Sequence, residues 1–311
     1  MALDKKSYLA VAELIVYVPA LIFAVIVCSR HGFRRASGWV YTLILCVIRT
    51  VGSIMQIVAY SKKDASLITT VVILESIGIS PLLFATLGML SRFVDSLHMQ
   101  DDILFTVKVF RLIQTVITVG MILGIIGGTS ATPSADGTFH KPATSKVGVI
   151  LYCIGFIAIS FLFVKAAAAR SAAPLGERKT LFGVSAAWPL IAVRLVYSLA
   201  GTFTNIHAFS VYGGSVIVRA VMCLLEEFIV VAIYLGLGFV LRKMDVGEHG
   251  DLQGREWKAT KGRKRIRGQQ YRQQNQSQPL SQQWHQPQDQ VWPQQQQQRQ
   301  PRQYQYKHMG Y

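Results

Sequence analysis

A chain of 311 residues that is 51% hydrophobic and only 15% charged is not composed like a soluble domain, where about a quarter of the residues carry charge; its mean hydropathy is +0.34. The formal charge of +16 would suit a nucleic-acid binder, but 13 Lys and Arg against 5 acids fall from Arg242 onward, and most of the remaining excess sits in short segments between long apolar runs. That distribution makes a membrane the acidic partner, and no nucleic acid is expected.

Crossing a hydrocarbon core takes about 20 helical residues. Seven apolar segments are long enough, at about 8–28, 39–60, 67–90, 103–127, 147–169, 181–204 and 214–241. The expected fold is therefore all-α, an integral membrane bundle of seven helices over residues 1–245, followed by a tail. The first segment follows Lys5 and Lys6 as the core of a signal peptide would. It is longer than such a core, contains Glu13 and Pro19, and runs straight into Ser29-Arg30-His31, so it is read as an uncleaved helix. The second carries Thr42, Cys46, Arg49, Ser53, Gln56 and Tyr60 at intervals of three or four, a polar stripe on one helix face.

In the third segment Glu75 precedes a break at Gly78-Ile79-Ser80-Pro81, where proline frees a backbone carbonyl. The fourth begins with Lys108 and Arg111, which can snorkel. It then presents Gly120, Gly124 and Gly128, a small-residue spacing suited to close helix packing within or between chains. Residues 128–146 form the longest connection between spans, rich in turn residues. The sixth span repeats the polar spacing with Arg194, Ser198, Gly201 and Asn205 and contains Pro189; the seventh holds Arg219, Glu226 and Glu227. Residues 246–311 join a basic stretch, Arg255 to Arg272, to a Gln/Pro/Arg segment that cannot bury enough apolar surface to order itself. The basic stretch suits anionic lipid head groups, a partner or trafficking signal, or plain solvation.

Lys/Arg bias between spans sets orientation. One side collects Arg30, Arg34, Arg35, Arg92, Lys165, Arg170, Arg178, Lys179, Arg242 and Lys243; the other has Lys5, Lys6, Lys62, Lys63, Lys141 and Lys146. The expected topology puts the N-terminus out and the tail in the cytosol.

The informative residues are the charges inside the spans: Glu13, Arg49, Glu75, Arg194, Arg219, Glu226 and Glu227. Each costs about 2.5–3.5 kcal/mol or more at the bilayer centre, so they face the interior and pair. By helical rise, Arg49, Arg194, Glu226 and Glu227 fall near mid-membrane, with Glu75, Glu13 and Arg219 progressively nearer the outer side. Three arginines meet four glutamates, which leaves one carboxylate for a protonated state or a cationic ligand. The pair singled out is Arg49 with Glu75, completed by Arg194 and by Glu226 or Glu227, with Gln56 beside them. A static core is the competing account, since membrane bundles use polar contacts as glue.

Other chemistry is set aside. The four cysteines (Cys28, Cys46, Cys153, Cys223) all lie in apolar runs and form no disulfide or metal pattern. The seven histidines are scattered without an HExxH pattern. Neither a phosphate-binding glycine loop nor a GxSxG elbow occurs, and the seventh span has no lysine for a retinal Schiff base. The chain is expected to be no enzyme and to carry no cofactor.

Several blocks resemble an uncharacterised seven-helix membrane domain found in filamentous fungi. They are Arg30-His31-Gly32-Phe33 with Ser37-Gly38-Trp39, then Leu45, Arg49, Gly52 and Gln56. Glu75-Ser76-Ile77-Gly78-Ile79-Ser80-Pro81-Leu82-Leu83 and Gly88-Met89-Leu90-Ser91-Arg92 follow. The resemblance covers about 8–245 and implies a fungal source and seven spans, but no activity. Similar chains often carry an aspartate where Glu75 stands. More distantly, the layout is similar to a fungal seven-span family linked to lipid export and drug tolerance, without a motif match. Two readings result. One is a protein binding a small ligand or ion in a polar cavity opening outward between the second, third, sixth and seventh helices, as a receptor-like sensor or a transporter of lipid-like molecules. The other is a scaffold whose charges are packing salt bridges and whose tail recruits partners.

Overall fold

A computed structural model describes residues 5–32, 38–62, 65–97, 105–130, 132–133, 139–140, 142–204 and 216–242. The basic, Gln-rich tail expected to be disordered lies outside them, as does Asn205. The helices are α1 (Lys5–His31), α2 (Trp39–Lys62), α3 (Ala65–Ile77), α4 (Ile79–Ser96), α5 (Val107–Thr129), α6 (Ala143–Ala168) and α7 (Leu175–Phe203). The chain then forms α8 (Val216–Arg219), a π-helical turn (Ala220–Leu225) and α9 (Glu226–Val240). Six helices, with α3 and α4 taken as one kinked span, are long and apolar enough to cross a membrane. The run 216–240 makes a seventh rod, divided by its π turn. Large apolar side chains such as Ile15, Ile22, Phe161, Val164, Phe182 and Ile217 are exposed on the outward faces, where only lipid is a compatible solvent. The chain is an integral, multi-pass membrane protein.

The third span, α3–α4, occupies the centre: 72% of its most apolar window is buried, against 28% in α5 and in α6. Its kink has a local cause. Pro81 has no N–H for the Ile77 carbonyl, and Ser80 Oγ donates to that carbonyl instead, at 2.8 Å. Around this centre α5 and α6 cross closely through Gly120 and Gly148; a Cβ on Gly148 would lie 2.9 Å from the Gly120 carbonyl oxygen. Of the glycines singled out for packing, Gly120 and Gly124 both lay their backbone against Gly148 of α6, whose Cβ would meet Gly124 N at 3.1 Å, and Gly128 meets Ile73 of α3; on its own Cβ side Gly124 is open, with Tyr152 Oη 3.8 Å away.

The two ends of the bundle differ. The connection between α5 and α6, read as a turn-rich loop, contains a short antiparallel pair, β1 (Thr132–Pro133) with β2 (Phe139–His140). At the opposite end Gly38, at φ +67°, turns the chain into α2 where any Cβ would press on the Ala85 carbonyl of α4. That turn seats Trp39, 1% exposed, which stacks on His31 at 4.1 Å and donates through Nε1 to the Tyr234 carbonyl at 3.0 Å. The last carbonyls of a helix have no partners within it. Here His31 Nε2 reaches Gly238 O (2.7 Å), Arg30 donates to Phe239 O (3.0 Å) and Arg92 to Arg242 O (2.8 Å). Arg92 is itself held by both Glu177 oxygens, at 3.0 and 2.7 Å, which fastens α4 to α7.

The π turn decides which way the seventh rod points its charges. Eight α-helical steps would set Arg219 and Glu227 about 80° apart around the axis. The extra residue of a π turn takes back about 100°, leaving them within about 20° of one another. Both are buried, at 8% and 0% exposure, whereas Glu226 is only partly buried.

Candidate functional site

Glu227 is the centre of one half of the site. Its Oε2 lies 2.5 Å from both Nε and Nη2 of Arg49, and its Oε1 accepts from Arg194 Nε at 2.7 Å. Arg49 Nη2 also reaches Cys223 Sγ (3.5 Å). Arg194 continues through Nη1 to Ser198 Oγ (2.8 Å) and through Nη2 to the Glu75 backbone carbonyl (3.2 Å). Gly78 makes this density possible: a Cβ there would sit 3.1 Å from Arg49 Nη2 and 3.4 Å from Glu227 Oε1. The break in the third span thus opens space for two charged side chains to lie against its backbone.

Arg219 is the centre of the other half. It forms an ion pair with Glu75, lies 3.7 Å from Glu13, and donates to Gln56 Oε1 at 2.9 Å. Glu13 Oε2 also accepts from Ser53 Oγ at 2.5 Å. The first half, two arginines on one glutamate, carries a formal +1; the second, two glutamates on one arginine, carries −1. Taken ionised, the six groups cancel. Desolvating an ion costs several kcal/mol even after relaxation, which excellent geometry offsets without much surplus, while removing one partner strands the other. Each of these four ion pairs includes a residue of the seventh rod.

The structure therefore brings Glu13, Arg49, Gln56, Glu75, Arg194, Arg219 and Glu227 together, but with different partners from those expected. Arg49 pairs with Glu227 and Glu75 with Arg219, not with each other, because the π turn delivers one charge of each sign to the two flanks of the third span. The left-over carboxylate is Glu226, turned aside by about 100° from Glu227, its buried Oε2 without a hydrogen-bond partner. Spacing had not marked Tyr17, Cys223 or Gly78 as members of the site. Tyr17, 1% exposed, packs edge-on against Phe228 and leaves its hydroxyl unpartnered. One turn of helix between Arg219 and Glu227 was the available signal for Cys223.

Two voids adjoin the network. The larger, about 830 Å³ with its mouth included, lies in the half of the bundle nearer β1–β2. It is walled by Val72, Glu75 and Ser76 of α3, Gly124 and Gly127 of α5, Ser145 and Tyr152 of α6, and Arg194 and Ser198 of α7. The smaller, about 220 Å³, is bounded by Glu13, Arg49, Gly52, Gln56, Glu75 and Arg219. Glu75 lines both. A cavity between the second, third, sixth and seventh helices was expected. The larger one instead lies among the third to sixth spans and touches the seventh only at Cys223. The charge network fills the interior face of the seventh rod, while on α5 Gly124 leaves space open beside Tyr152 and Gly127 and Gly128 pack closely on Ser145 and Ile73. Among the described residues, no group of three or more His, Cys, Asp and Glu is placed to hold a metal.

Among solved structures, the chain is similar to the crystal structure of Exiguobacterium sibiricum rhodopsin, with a TM-score of 0.43 and 13% identity over 76% of this chain and 93% of that one. No curated protein matches it. Residues 3–244 match a family described as a domain of unknown function (DUF7702). That match takes in all seven helical rods and every charged residue of the network, and the chain belongs to this DUF7702 family.

Proposed function

We propose that this protein binds a small ligand within the membrane, in the cavity between the third and sixth spans, as a receptor-like sensor or a carrier of lipid-like molecules. The observation that carries the reading is a wall in which Glu75 and Arg194, of opposite sign, stand together in an otherwise largely apolar void. A pocket of this kind, apolar with a few convergent polar groups, is the common form of a small-molecule site. The bound molecule is held without a catalytic step. The N-terminus faces out and the basic tail the cytosol, supported by ten Lys and Arg on one side of the spans against six on the other.

The test is native mass spectrometry of the full chain, purified in mild detergent from its own membrane. The expected result is a small molecule co-purifying at one per chain and lost from a Gly124→Leu variant. A clean apoprotein in both would end this reading. A scaffold is favoured by one specific feature, the closed pairing of all six network charges. Truncation after Lys243 separates the two: a scaffold that works through its tail loses its cellular phenotype, whereas a ligand binder keeps its co-purifying molecule.

A further inference from the structure

The cavity wall also carries information about the charge of whatever it holds. Both of its ionised side chains are already matched, Glu75 by Arg219 and Arg194 by Glu227. Inside a low-dielectric bundle a charged head group must find a counter-charge or stay out. The neutral six-member network offers it none. Hydrogen-bonding capacity, by contrast, is left over. A guanidinium has five N–H donors. Arg194 engages its three nitrogens once each, with Glu227, Ser198 and the Glu75 carbonyl, so two N–H bonds remain. Tyr152, 2% exposed, has a buried hydroxyl whose neighbour is Ser80; Ser80 gives its own proton to Ile77 O, so Tyr152 can only donate to Ser80 and its own oxygen is left to accept. Buried capacity of this kind, spare donors on Arg194 and a spare acceptor on Tyr152, can be completed by a ligand hydroxyl that accepts from the first and donates to the second. The rest of the wall, with Val72, Ile79 and the bare backbone at Gly124 and Gly127, suits an apolar body.

Resting on the reading of this cavity as a ligand site, we infer that its ligand is an uncharged amphipathic lipid. An apolar body carries one head group, a hydroxyl or amide, that both accepts from Arg194 and hydrogen-bonds Tyr152. Charged lipids of the same size are discriminated against.

The test uses three probes with one tail and different heads: hexadecan-1-ol, hexadecanoate and hexadecylamine. They compete for the full chain in phosphatidylcholine nanodiscs against radiolabelled hexadecan-1-ol, at a pH where the acid is ionised and the amine protonated. The alcohol should bind at least about tenfold more tightly than either charged probe, and Tyr152→Phe should narrow that gap. Gly124→Leu should abolish binding: a Cβ there meets only Tyr152 Oη at 3.8 Å, so the added side chain grows into the void. Should Gly124→Leu not fold, Thr202→Trp, also on the wall, replaces it. If a charged probe binds as tightly as the alcohol and the filled cavity rejects it, neutrality is wrong and the cavity reading stands. If no probe binds, or filling the cavity changes nothing, both are wrong.

Discussion

The Trp39 end and the hairpin end of this bundle are built from the same helices on opposite plans. At the Trp39 end the chain is tightly joined: an indole, an imidazole and the Arg30 guanidinium satisfy carbonyls of the last rod, Arg92 satisfies that of Arg242 just beyond it, and Arg92–Glu177 binds α4 to α7. Toward the hairpin end the spans part around a void, Gly124 leaves open space on its wall, and the Tyr152 oxygen keeps a free acceptor position. Between them lies the six-charge network. The contrast teaches that order and room are separated along the membrane normal. One end fixes the relative positions of the helices, so the other can stay hollow without collapsing.

The sharpest way to break that contrast is at the network. Glu227→Gln leaves two buried arginines on one neutral amide and should cost about 3–5 kcal/mol, read as a large drop in thermal stability of the detergent-solubilised chain. A loss below about 1 kcal/mol would mean that water already reaches the network. Next come paired reversals. Glu75→Arg with Arg219→Glu should recover part of the stability lost by either single change, while Arg49→Glu with Glu75→Arg should recover none. Equal recovery in both would show the network to be a diffuse field with no specific pairs. At the joined end, Gly38→Ala places a Cβ in left-handed backbone and against the Ala85 carbonyl, for about 1–3 kcal/mol. The smallest effect belongs to the hollow half: Tyr152→Phe removes a hydroxyl whose neighbour is Ser80 and should stay within about 1 kcal/mol of the parent. A larger loss would mean that the hydroxyl fastens α6 to α4 and that the hollow half is as tightly joined as the other.

These differences follow what could be read from residues alone. Hydropathy located the spans, and buried charge marked Arg49, Glu75, Arg194 and Glu227, because both follow from the cost of placing side chains in lipid. Partnership did not follow. Whether Glu226 or Glu227 turns inward depends on a π turn that apolar residues Ala220–Leu225 do not announce. Cavity position depends on how far α5 stands from α3 and α7, a distance no single helix encodes. Arg30 and Arg92 were legible as loop charges and, with His31, as parts of blocks resembling a family, but not by their partners, since the backbone carbonyls they bond belong to a segment about 150–210 positions away.

Because the seventh rod supplies one member of each ion pair in the network, the order of synthesis matters. Glu13, Arg49, Glu75 and Arg194 leave the ribosome and enter the bilayer before any of the four has its native counter-ion. The nascent chain must wait for its final span with these groups shielded by water, by the insertion machinery or by one another. Completion of the last segment, not docking of the first, is then the moment at which the molecule can close.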